Sequence, residues 1–176
     1  MYGADHEDIA YSYRTGNHGD GSWYSINGNI DYQRTSRKNK QRMITFSYKI
    51  NTQPQTSNSN TGYEDIHAKE EVDDLVKRLL LKNSQSDGKT NTMEQTFQVD
   101  YTTPIGELHT VEAGAKYIFR RNTSDNKLYE AAGGSDDYLY NEDRSSDYRH
   151  LNHILAAYLG YTLKYKDFTF KPGLRY

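Results

Sequence analysis

Cysteine is absent from the chain, which excludes disulfides, thiol catalysis and cysteine-based zinc sites without fixing a compartment. Long apolar runs are absent too. None approaches the ~20 residues that a membrane-spanning helix needs, and 34% hydrophobic residues with a mean hydropathy of −1.02 exclude a helical membrane protein. Neither sign of charge dominates: 22 Lys and Arg stand against 24 Asp and Glu, for a net charge of −2. With no sustained basic surface, nothing supports a nucleic-acid partner. No Ser/His/Asp set stands in an anchoring motif, so the chain reads as no enzyme and no catalytic residue is assigned. Residues Met1 to Ala10, with Asp5, His6, Glu7 and Asp8, lack the basic start and apolar core of a secretory signal. Phe168 to Tyr176 are still alternating where the sequence stops. Both ends are those expected of a piece of a longer protein.

What the chain does have is tyrosine and period-two patterning. Seventeen Tyr against one Trp and five Phe favours the aromatic residue that tolerates a boundary between oil and water. From Tyr24 to Arg34, the residues Tyr24, Ile26, Gly28, Ile30 and Tyr32 fall on one side, and Ser25, Asn27, Asn29, Asp31 and Gln33 on the other. That is a long strand with one apolar and one wet face.

The pattern recurs along the chain. A short segment, Ile9 to Arg14, reads as a strand tail and Thr15 to Ser22 as a Gly- and Asn-rich loop. A strand over Trp23 to Arg34 turns through Ser36, Arg37, Lys38, Asn39 and Lys40 into Ile44, Phe46, Tyr48 and Ile50, forming a hairpin. Residues 52–91 read as a long loop holding a short amphipathic helix over Ala68 to Lys82, with Val72, Leu75, Val76, Leu79 and Leu80 at helical spacing. Met93, Gln95, Phe97, Val99 and Tyr101 begin a second hairpin that reverses at Pro104, Ile105 and Gly106 and returns through Val111, Ala113, Ala115, Tyr117 and Phe119.

A second long loop spans about 122–147, where Asp136, Asp137, Glu142, Asp143 and Asp147 show no metal-ligand spacing. A third hairpin runs from Arg149 to Tyr165, turns at Lys166 and Asp167, and returns through Phe168, Phe170, Pro172, Leu174 and Tyr176. His150 and His153 lie three apart, on opposite faces of a strand, and make no metal pair. No metal and no cofactor is expected.

The fold class this predicts is all-β: an antiparallel up-and-down transmembrane barrel, here an incomplete arc of six to seven long strands with long outer loops. All 176 residues are expected to belong to one barrel domain. A soluble antiparallel sheet also alternates, but these strands match the ~9–11 residues that cross a bilayer at a tilt. Short and long connections also alternate, as in outer-membrane barrels. Tyr32, Tyr101, Tyr165 and Phe168 gather near the short turns, and Tyr24, Tyr48, Tyr117 and Phe119 toward the other rim, as two aromatic girdles. The opposite face, carrying Asp31, Lys49, Glu94, Asp100, Glu112, Lys116, Lys171 and Arg175, is expected to face the lumen. Charge on the lipid face near the midplane would cost ~2–4 kcal/mol.

The run Gln98-Val99-Asp100-Tyr101-Thr102, then Pro104-Ile105, then His109 to Ile118 and Arg120, resembles the barrel of the TonB-dependent-receptor-like outer membrane protein family common in Bacteroidetes. The ending Tyr165, Phe168 and Gly173-Leu174-Arg175-Tyr176 is similar to a further hairpin of that family. The likeness spans about Trp23 to Tyr176. It implies the bacterial outer membrane, a large barrel with a plugged lumen, and uptake of nutrients too scarce or bulky for porins. By this resemblance the partners are outer-membrane lipid, the remainder of the barrel with its plug domain, and the energy-coupling protein TonB. The sequence holds no plug, so gated transport and TonB contact map to none of its residues. A barrel that transports nothing and binds a surface partner or glycan through its loops is the competing expectation.

Overall fold

The computed structural model describes residues 11–70 and 72–176. The readings made on Met1 to Ala10 lie outside the described residues, as do Ile9 in the strand tail and Glu71 in the helix. Among the described residues the elements are β1 (Tyr11–Trp23), β2 (Ile26–Thr35), β3 (Met43–Ala68), a helical turn α1 (Asp73–Leu75), β4 (Lys82–Ile105), β5 (His109–Ala132), β6 (Leu139–Tyr140), β7 (Ser146–Tyr165), β8 (Phe168–Phe170) and β9 (Gly173–Arg175). α1 continues as a π-helical turn over Val76–Leu80. The strand order is β1-β3-β4-β5-β7-β8, with β2 also on β3, β6 on β5 and β9 on β7. The fold is therefore an all-β antiparallel sheet, and its path does not close on itself.

The strands are longer than their alternation shows. β3 has 26 residues, and β4 and β5 have 24 each, against the ~9–11 that span a bilayer. Three stretches expected to be loops are largely strand. Thr15 to Ser22 lies in β1, residues 52–68 and 82–91 continue β3 and β4, and residues 122–132 continue β5. These stretches are rich in Ser, Thr, Asn and Gly, so no apolar face announces them. Their backbones pair all the same, in the register Gly16↔Gly62, His18↔Asn60 and Ser22↔Thr56. Ser22 and Thr56 add a hydroxyl–hydroxyl bond of 2.8 Å. The expected helix is real but only eight residues long in its two parts, Asp73–Leu75 and Val76–Leu80.

By compactness the chain divides into two units. The first comprises, among described residues, 11–24, Pro54–Asn91 and Thr123–Arg149. Its buried apolar side chains are Val76 (1% exposed), Leu81, Leu128 and Ala131. The amide of Gly133 donates to the Lys77 carbonyl at 2.8 Å, tying the turn after β5 to the π-helical turn. The carboxylate of Glu130 is only 11% exposed and forms ion pairs with Lys82 and Arg144. Asn141 Nδ2 also donates to it, at 2.6 Å.

The second unit comprises Ser25–Gln53, Thr92–Asn122 and His150–Tyr176. Here the predicted hairpins stand. β2 lies on β3 with Ile30↔Tyr48 and Tyr32↔Phe46. The Ser36 amide closes its connection by donating to the Arg42 carbonyl at 2.9 Å. Gly106 takes a positive φ of 68° in the turn from β4 to β5, a conformation that costs glycine nothing. Lys166, at φ 53°, opens the two-residue turn between Tyr165 and Phe168, which pair across it. The final strand is split in two at Lys171–Pro172 because proline has no N–H to give a ladder. The Pro172 carbonyl still accepts from the Tyr161 amide at 3.0 Å.

Candidate functional site

Within the second unit, alternation on paired strands sorts side chains onto two faces. One is apolar and bare: Ile30 is 71% exposed and Leu174 is 77% exposed, with Phe168, Leu155 and Leu159 also exposed. A row of rings crosses it, Tyr48 to Phe97 at 4.8 Å and Phe97 to Tyr117 at 6.4 Å. His153 joins the row through a 2.7 Å bond between its Nδ1 and the Tyr117 hydroxyl, with Phe119 at 5.2 Å.

Of the aromatic residues singled out in the sequence, Tyr32, Tyr101, Tyr165 and Phe168 are exposed, while Tyr48, Tyr117 and Phe119 are half-buried in this ring row. Tyr24 falls in the first unit, exposed, where its amide donates to the Pro54 carbonyl at 3.2 Å.

The other face is polar. Two clefts open on it. One of about 520 Å³ is lined by Asp31, Lys49, Glu94 and Lys116 among others. One of about 550 Å³ is lined by Glu112, Lys116, Lys171 and Arg175 among others. Asp100 stands on the same face through its bonds to Gln98 (2.8 Å) and Tyr158 (2.7 Å). The eight charged candidates are thus brought together on one side of the strands.

Their charges are largely met by neighbours. Arg120 donates twice to Glu94 Oε2, at 2.9 and 2.5 Å. Lys171 reaches Glu112 at 3.2 Å. Asn29 donates to Asp31 at 3.0 Å, and the register Asn29↔Lys49, Asp31↔Ser47 sets Lys49 diagonally across from Asp31. Lys116 and Arg175 have no carboxylate partner among the described residues. Such cross-strand ion pairs let carboxylates sit on a wall with their charge met by a neighbour.

Sequence reasoning missed Arg120 and Tyr158. Arg120 falls in step with Glu112 and Lys116 on β5 but stands outside the eight candidates. Tyr158 was hidden because Ala156, Tyr158 and Gly160 blur the alternation of β7. The Tyr158 ring lies over Gly114, where a Cβ would sit 2.2 Å from Tyr158 Cε1 and 2.6 Å from Asp100 Oδ1. A glycine facing a tyrosine on the adjacent strand, which lets its hydroxyl reach Asp100 one strand further on, is the signal that was available. His109, bonded to the Tyr161 hydroxyl, was also unassigned. Among the described residues no group of side chains could hold a metal ion.

Long antiparallel strands with one bare apolar face and one charge-paired polar face define a membrane-wall sheet, whose apolar side suits lipid and not water. The family model described as "Outer membrane protein beta-barrel family" matches residues 34–176, and the chain belongs to that family. It is accordingly a protein of the bacterial outer membrane, and the soluble-sheet alternative falls. No curated protein matches the chain.

Proposed function

We propose that the chain is a wall segment of a TonB-dependent outer-membrane receptor that takes up a scarce or bulky nutrient, its polar face turned to the lumen. The observation that carries the reading is the mutual neutralisation on that face, Glu94 by Arg120 and Glu112 by Lys171. A charge-selective open pore presents rings of one sign to its solutes; this lining carries both signs and spends Glu94 and Glu112 on cations of its own. It suits a lumen occupied by protein, as the plugged barrels have. The resemblance of Gln98 to Arg120 to the TonB-dependent receptors supports the same reading. The partners proposed are outer-membrane lipid on the apolar face, the rest of the barrel with its plug, and TonB. No catalytic role is proposed.

The second reading, a barrel that only binds a partner or glycan at the cell surface, draws on the water-suited strands of the first unit, polar on both faces from Thr15 to Ser22. The test uses the full-length native protein. Cross-linking to TonB in cells, together with a closed state in planar bilayers, is expected for a receptor. A constitutively open pore would refute it, and a closed barrel with neither TonB contact nor energy-dependent uptake would favour the binding reading.

A further inference from the structure

In the first unit two glycines face each other across β1 and β3, Gly16 against Gly62. Neither has a positive φ, and a Cβ at either would meet nothing within 4 Å. Backbone conformation and packing therefore leave both positions open to any residue, and glycine weakens a strand interior. The stability given up leaves a bare patch of backbone amid a carpet of side chains, as is found where a ligand approaches closely.

A cleft of about 600 Å³ opens over this patch. On the same face, by register, His18 and Asn60 stand to one side and the Arg14–Glu64 ion pair to the other. Asp136 and Tyr138 line it from the turn after β5. Asn83, buried at its edge, is held rigid: its Oδ1 accepts from the Tyr63 amide at 2.7 Å and its Nδ2 donates to the Ser135 carbonyl at 3.0 Å. The lining thus offers carboxylate and amide acceptors, an imidazole and a phenol ring around a flat floor.

We propose that this cleft binds a neutral carbohydrate. Hydroxyl donors are what a surplus of acceptors recognises, and the apolar C–H face of a pyranose suits an aromatic ring. An anionic ligand would meet Glu64 and Asp136, and a cation site is absent among the described residues. The inference deepens the surface-binding reading by giving it a site and does not depend on transport, since binding is measured apart from uptake.

The experiment is saturation-transfer NMR and calorimetry on the full-length protein in detergent, with maltohexaose, cellohexaose, xylohexaose and mannohexaose as probes. At least one is expected to bind. Gly62→Val fills the floor with a residue that favours strands and is expected to weaken that binding at least tenfold. Gly19→Ser, on the opposite face of β1, is expected to leave it unchanged. Unaltered β-content and heat-modifiable migration of Gly62→Val separate a blocked cleft from a lost fold; should that variant misfold, Tyr138→Ala carries the same expectation. Failure of all four probes to bind overturns the proposal. So does binding that Gly62→Val and Tyr138→Ala leave intact. Binding without energy-dependent uptake would uphold it while refuting the transport reading.

Discussion

Replacing Ile30 by lysine tests the assignment of faces most directly. Ile30 is the fifth of ten residues in β2 and pairs with Tyr48. It is 71% exposed on the apolar face, near the middle of a strand just long enough to cross a bilayer. An ammonium at that depth costs ~2–4 kcal/mol, roughly a 30- to 700-fold drop in the folding equilibrium at 1.4 kcal/mol per tenfold. The control is Ser47→Lys at nearly the same depth. Ser47 pairs with Asp31 on the polar face, so its ammonium meets a carboxylate and the change should stay within about 0.5 kcal/mol. Both variants of the full-length protein are refolded into lipid vesicles and titrated with urea, the folded form being followed by heat-modifiable migration on gels. A gap of at least ~2 kcal/mol between the two is expected. Equal midpoints, or a larger loss at Ser47, would refute the assignment of the apolar face to lipid.

Three further outcomes follow from local geometry. Gly114→Val drives a side chain into the Tyr158 ring and the Asp100 carboxylate that it donates to, and the overpacking should cost about 1–3 kcal/mol; in a Tyr158→Ala background the cost should shrink, and a cost unchanged by that background would show the ring is not the obstacle. Lys166→Gly removes a non-glycine residue from φ 53° and should raise the urea midpoint by an amount equivalent to about 1 kcal/mol; an unchanged midpoint would mean the turn carries no strain. The Glu130 carboxyl is held below its ordinary value of 4.5, first by the Asn141 side-chain bond, against the opposing effect of burial, and then by Lys82 and Arg144. A depressed folded value means that its stabilising contribution is complete above pH 4.5 and is lost as pH falls through the folded value. The protection factor of the Asn141 amide, which donates to the Leu128 carbonyl, should therefore fall only on acidification below that point, and Glu130→Gln should abolish that fall.

How much of this was legible in the sequence depended on which solvent each strand face meets. Between Ile26 and Thr35, and again between Met93 and Tyr101, one face must be apolar, so period two is written into the residues and the hairpins could be placed. Along Thr15 to Ser22 and Gln55 to Gly62 both faces are wet. The constraint that writes the alternation is missing there, and the segments look like loops although their backbones pair in register. The polar-face carboxylates were found from parity alone. Their partners were not, because Glu94 with Arg120 and Asp100 with Tyr158 are matched by register across strands, which no single-strand pattern encodes.

The placement of apolar side chains carries one more consequence. The first unit buries Val76, Leu81, Leu128 and Ala131 together, while in the second the buried apolar side chain is Pro104, at the end of β4, and Ile30, Leu155 and Leu174 are bare. One unit is thus built for water around a small core, and the other has its apolar residues turned outward to a solvent that the protein does not itself supply. Val76→Ala should then act as a core truncation, costing about 1–3 kcal/mol. It should quicken exchange at the Leu81 amide, which donates to the Val76 carbonyl, and at the Gly133 amide. Because its cost arises from protein packing, it should be the same in short-chain and long-chain lipid. The cost of Ile30→Ala, by contrast, arises from contact with lipid and should vary with bilayer thickness. A Val76→Ala effect that tracks lipid chain length would place that residue against the membrane and undo the division of solvents between the two units.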